Sequence, residues 1–261
     1  VFSVESIHFR KKASLPQKKI SSLKEVISDF AERYIEIEDI CAVENPFAYS
    51  DYKGIKQKED VLNAALKIRQ SWNLGQDGIV NIIELLEEHG IKVLEIEASA
   101  KFDGLSTIIN EKHPIIVLNK DFSSERKRFT ALHELGHIVL QFDDSIEEKE
   151  QESLCNAFAN EMLIPQSAFV KQLGSSRHDI SYVELQSMQK QFGISCDALM
   201  FKAKDLGVIS EQRYQYYCIK KNKNRKFKEL VESSHYPIES SMRFERLVFR
   251  ALSDALISYS K

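Results

Sequence analysis

His133, Glu134 and His137 stand in the order His-Glu-Leu-Gly-His. The surrounding stretch, Ser124 to about Gln141, carries Phe129, Leu132, Val139 and Leu140 at helical spacing, with Ser123 or Ser124 as N-cap and Glu125 in the first turn. On a helix, two imidazoles four residues apart project from one face, about one turn apart, which suits two ligands of a single metal ion. Glu134 lies about 100° round the helix from His133, so its carboxylate reaches a metal-bound water without taking a coordination position. That is the placement a general base requires. Read instead as ordinary helix residues, the two histidines and the glutamate would be buried in an almost wholly apolar segment at considerable cost. Gly136, at about 1 kcal/mol less favourable than alanine in a helix, argues that something approaches the backbone there.

A catalytic zinc takes three protein ligands, so a third must come from elsewhere. A second helical pattern runs from about Gln151 to Leu163, after the acidic stretch Asp143 to Glu150 and before Pro165. Glu152, Asn156, Ala159 and Leu163 share one face of it, and the small Ala159 permits close approach to the first helix. Asn156, one turn beyond Glu152, is placed to accept a hydrogen bond from the second N–H of a ligating imidazole. Glu152 also suits a helix N-terminus for electrostatic reasons alone, so its position leaves both readings open.

The runs Arg128-Phe129-Thr130-Ala131-Leu132-His133-Glu134-Leu135-Gly136-His137 and Glu152-Ser153-Leu154-Cys155-Asn156-Ala157-Phe158-Ala159-Asn160-Glu161-Met162-Leu163-Ile164-Pro165 resemble the ImmA/IrrE family of metallopeptidases, over roughly residues 76–210. The resemblance implies that Glu152 is the third zinc ligand, as in gluzincin-like sites. It further implies an endopeptidase acting on a helix-turn-helix repressor or antitoxin-type regulatory protein, in stress responses and mobile-element induction. The stretch Phe9 to Phe47 is similar to the segment that follows an Xre-type DNA-binding domain in fused members. The chain is therefore expected to be an excerpt of a longer regulator, and no direct DNA binding is expected of it.

In such a site Zn2+ lowers the pKa of its bound water toward about 7; Glu134 takes the proton and passes it to the leaving amine. A donor to the developing oxyanion is also wanted, and His113, Arg126, His178 and the tyrosines all remain open as candidates. The rival reading is a regulatory module that retains zinc but acts by docking a partner. The intact Glu134 favours the enzyme, because a structural site has no use for a base beside its metal. A DNA-binding regulator with a vestigial peptidase fold is the least favoured reading.

Positioning these residues calls for an α+β fold, mostly helical, with a small three-stranded sheet beside the His-Glu-Leu-Gly-His helix. The strands are expected at Ile91 to Ile96, Leu105 to Ile109 and Pro114 to Leu118, after a helix from about Asp77 to His89. Residues 1–75 read as a helical lead-in, 76–174 as the zincin-like core, 175–210 as a helix-turn-helix-like subdomain and 211–261 as a segment to which no chemistry is assigned. In the lead-in, Ile20, Leu23, Ile27, Phe30, Tyr34, Ile37 and Cys41 form one apolar stripe. Its expected partner is the helix of Glu59 to Trp72, with reversal near Asn45-Pro46 and Gly54. Within Ser181 to Leu206 the second helix offers Asp197, Lys202, Lys204 and Asp205 rather than base-reading side chains, which favours a packing role.

Of the 261 residues 43% are apolar, ample for a core, and a formal net charge of -3 gives the whole chain no footprint for nucleic acid or anionic lipid. The cluster Arg10, Lys11, Lys12, Lys18 and Lys19 reads as a solvated face. Cys41, Cys155, Cys196 and Cys218 are widely separated, which points to a reducing, cytoplasmic setting. No apolar run is long enough to span a bilayer.

Overall fold

The computed structural model describes residues 17–44, 47 and 52–258. The Asn45-Pro46 turn, the cluster Arg10, Lys11 and Lys12, and the side chains of Lys18, Lys19 and Ile20 lie outside the described residues. The chain begins with α1 (Gln17–Ile40), a short strand β1 (Tyr52–Ile55), α2 (Lys58–Ser71) and α3 (Ile82–Glu88). Then come β2 (Lys92–Ile96), β3 (Gly104–Ile109) and β4 (His113–Asn119), followed by α4 (Ser124–Val139), β5 (Leu140–Phe142) and α5 (Glu148–Leu163). The remainder is helical: α6 (Gln166–Leu173), α7 (Tyr182–Phe192), α8 (Cys196–Asp205), α9 (Glu211–Lys223), α10 (Arg225–Glu232) and α11 (Arg243–Ser253). The fold is α+β.

The three expected strands form one mixed sheet in the order β2-β4-β3, with β4 parallel to β2 and antiparallel to β3. Side chains alternate across a sheet, and both faces here are covered. Leu105 and Ile109 of β3, with Ile115 and Val117 of β4, pack against Leu23, Ile27 and Ala31 of α1. On the other face Ile116 and Leu118 join Ala131, Leu132 and Leu135 of α4.

From Leu23 to Cys41 the α1 stripe turns inward as its spacing requires, but its partner differs from the expectation. Leu23 and Ile27 cover the sheet, while Tyr34, Ile37 and Cys41 pack with Leu247 and Ala251 of α11. The α2 helix packs instead on α5. A three-stranded sheet has two apolar faces and α4 covers only one, so α1 is drawn to the other.

Two boundaries shift for identifiable reasons. The α3 helix starts at Ile82 rather than near Asp77, because the extended Asn81 caps it by accepting from the Glu84 amide. The carbonyls of Asp77 and Ile79 are thereby left to accept from the buried guanidinia of Arg69 and Arg128. The α4 helix ends at Val139, where Leu140 turns extended and pairs in parallel with Tyr52 of β1. This two-stranded ribbon was not expected: three or four residues are too few to show a period of two.

In α7 and α8 the apolar faces turn inward, burying Leu185, Met188 and Phe192 on one and Leu199, Met200 and Ala203 on the other. Lys202 is buried too, donating to Glu161 and to the Ile164 carbonyl, so this helix pair serves packing. Among the described residues no helix is long and apolar enough to cross a membrane.

Candidate metal centre

The α4 helix is buried along nearly its whole length between the sheet and α5. Ser123 is its N-cap, accepting from the Arg126 amide. The α5 helix starts at Glu148, inside the acidic stretch and three residues before the expected Gln151, and runs antiparallel to α4, so that His133 meets Asn156 while His137 meets Cys155.

Three donor atoms converge between the helices. The Nε2 atoms of His133 and His137 are 3.1 Å apart, and each lies 3.3 Å from a carboxylate oxygen of Glu152. A tetrahedral ion with bonds of about 2.0–2.1 Å sets its ligand atoms roughly 3.3 Å apart, so the triangle matches the spacing such an ion imposes. Lone pairs facing one another at this separation repel unless a cation lies between them, and the donor set of two imidazoles and one carboxylate is the type zinc prefers. Among the described residues His133, His137 and Glu152 are the group of metal-ligating side chains drawn together in this way.

The outer contacts orient the rings. His133 Nδ1 lies 2.9 Å from Asn156 Oδ1. A His133 ring that ligated a metal through Nε2 would carry its proton on Nδ1 and donate it to the amide oxygen. His137 Nδ1 lies 3.5 Å from Cys155 Sγ.

Glu134 stays out of the triangle. Its Oε2 accepts from Ser106 Oγ at 2.7 Å, and both residues are buried. Sequence reasoning missed Ser106. The available signal was a hydroxyl on the face of β3 opposite Leu105 and Ile109, pointing at α4. What approaches the backbone at Gly136 is α5: a Cβ there would sit 3.2 Å from Phe158 and 3.3 Å from Cys155 Sγ.

Residues beyond position 210 hold α4 in place. Glu125 accepts from Gln189 Nε2, Ser234 Oγ and the amides of His235 and Tyr236. Arg128, 1% exposed, pairs with Glu239, donates to the carbonyls of Ile79, Phe192 and Gly193, and lies over the Tyr236 ring. Burial pushes the Glu239 carboxyl up and Arg128 pulls it back.

Several of the candidate oxyanion donors have other partners or face solvent. Arg126 is bonded to Asp103, His178 is exposed, and His113 sits near Lys92 and Glu38. Tyr182, Tyr217 and Tyr236 direct their hydroxyls to Leu230, Asp197 and Ile79. A cleft of about 790 Å³ between α4, α5 and α8 reaches Asn156, but none of the three converging ligands lines it.

The family model for the IrrE N-terminal-like domain, Peptidase_M78, matches residues 86–204. The radiation response metalloprotease IrrE of Deinococcus radiodurans is 35% identical over 74 residues, covering 24% of this chain and 23% of that protein. The likeness thus spans about a quarter of each. A solved Mycobacterium tuberculosis transcriptional regulator aligns over 66% of this chain and 51% of its own, at 15% identity and a TM-score of 0.41. Residues 86–204 thus match the IrrE N-terminal-like domain, in line with the resemblance of this part of the chain to the ImmA/IrrE family of metallopeptidases.

Proposed function

We propose that this chain is a zinc-dependent endopeptidase in which His133, His137 and Glu152 hold the ion and Glu134 is the general base. The observation that carries the reading is the convergence of three donor atoms beside a separately anchored, buried carboxylate. A bound divalent ion supplies Lewis acidity and brings the pKa of a coordinated water to about 7. Glu134 takes the proton of the attacking water and delivers it to the leaving amine. Ser106 holds one oxygen of that carboxylate, which fixes the direction of the other. Asn156 keeps the His133 ring in its ligating orientation. β3 lies at the edge of its sheet, next to Glu134, so an extended peptide adding to that edge passes beside the base.

A non-catalytic docking module gives the carboxylate of Glu134, buried beside the three donor atoms, no chemistry to perform, whereas a hydrolytic site needs a base there. As substrate, the family resemblance supports a regulatory protein of the repressor or antitoxin type. The test is to incubate zinc-loaded wild type and Glu134→Gln with a panel of such proteins and to identify fragments by mass spectrometry. Defined cleavage by wild type alone is expected. Stoichiometric zinc with no cleavage of any protein in the panel would overturn the enzyme in favour of the docking module.

A further inference from the structure

We infer that Cys155 is a positioning residue for His137, its sulfur accepting the imidazole Nδ1–H and so holding the ring for metal binding through Nε2. The inference rests on the metal reading above and adds a residue to it. A neutral imidazole has a single N–H. His137 Nε2 faces His133 Nε2 and Glu152, so a ring that ligates through it carries its proton on Nδ1, 3.5 Å from Cys155 Sγ. The thiol is fully buried.

The approach is built into the helix pair. Gly136, next to His137, has no Cβ, and one placed there would stand 3.3 Å from Cys155 Sγ and 3.2 Å from Phe158. The glycine thus lets α5 bring the sulfur against the ring. The two histidines are held unequally as a result. An amide oxygen at 2.9 Å anchors His133, whereas His137 has a weak sulfur acceptor at 3.5 Å.

The test is zinc affinity, by competition with a chromophoric chelator, for wild type, Cys155→Ala and Cys155→Ser. It is joined by nitrogen NMR of the histidine rings in the zinc-loaded proteins. Losing an outer partner weakens metal binding by about 10–100-fold in comparable sites, and a weak acceptor places Cys155→Ala near tenfold. Cys155→Ser, which restores an acceptor, recovers most of the loss. The His137 Nδ1–H signal moves in Cys155→Ala while that of His133 stays. A purely packing role would lower the melting temperature of both metal-free variants without moving the ring signal or separating serine from alanine. If wild type binds zinc and Cys155→Ala binds it equally with an unchanged His137 signal, this inference alone is overturned. If wild type binds no zinc, the metal reading fails and the inference with it.

Discussion

Ser106 Oγ donates to Glu134 Oε2 at 2.7 Å, joining the edge strand of the sheet to the helix that carries His133 and His137. A hydrogen bond to a charged group contributes about 1.5–3 kcal/mol, and 1.4 kcal/mol is a factor of about ten in rate. Ser106→Ala is therefore expected to lower kcat by about tenfold or more while leaving zinc content and KM near wild type. Loss of zinc from the variant would show that Ser106 supports the fold of the site rather than the base.

Glu134→Gln keeps the shape of the side chain and removes its basicity. Zinc content should be unchanged and peptide hydrolysis should fall by about 10²–10⁴-fold, the usual contribution of a positioned general base. Undiminished cleavage by this variant would remove Glu134 from the mechanism.

Metal analysis by mass spectrometry separates ligands from their supports. His137→Ala and Glu152→Ala should lose stoichiometric zinc, whereas Asn156→Ala should retain a site weakened by about 10–100-fold. Because an ion that binds only the folded state raises the melting temperature, a chelator should lower it in wild type and leave Glu152→Ala unaffected. A zinc-replete Glu152→Ala would send the search for the third ligand to the acidic residues from Asp143 to Glu150.

The contact of Arg128 with Glu239 ties α4 to the segment before α11. Removing one partner of a buried pair typically costs about 3–5 kcal/mol, so Arg128→Met should lower unfolding stability by that order in denaturant titration. Gly193→Ala should act in the same direction. Gly193 has φ +60°, and a Cβ there would collide with the Arg128 guanidinium. Wild-type stability in both variants would show that the segment does not hold α4.

Burial, reinforced by Lys92 and Lys112, pushes the His113 imidazole below its ordinary range. Its folded pKa then lies under the unfolded value of about 6.5, and between the two the folded state binds fewer protons. Stability present above about pH 6.5 is lost as pH falls through that window. In metal-free protein, His113→Asn should flatten this acid-side slope, measured by denaturant unfolding from about pH 7.5 to 5.5. Identical slopes would exclude His113 as a contributor.

Much of the centre is legible from local order. Helical periodicity places His133 and His137 on one face, and the family resemblance singles out Glu152, which the folded chain sets 3.3 Å from each. The strands near residues 91, 105 and 114 and the buried stripe of α1 follow equally from spacing that recurs within a few residues. What the spacing leaves open is which apolar face meets which. The sheet rather than α2 covers α1, and α2 turns to α5. The partners of the polar side chains on α4 belong to the same class: Ser106 reaches Glu134 across 28 residues, Cys155 reaches His137 across 18, and Glu239 reaches Arg128 across 111. Periodicity is a property of neighbouring residues and can be read from the chain alone. Contacts at such separations exist only once the whole chain has buried its faces together, and tertiary structure alone decides them.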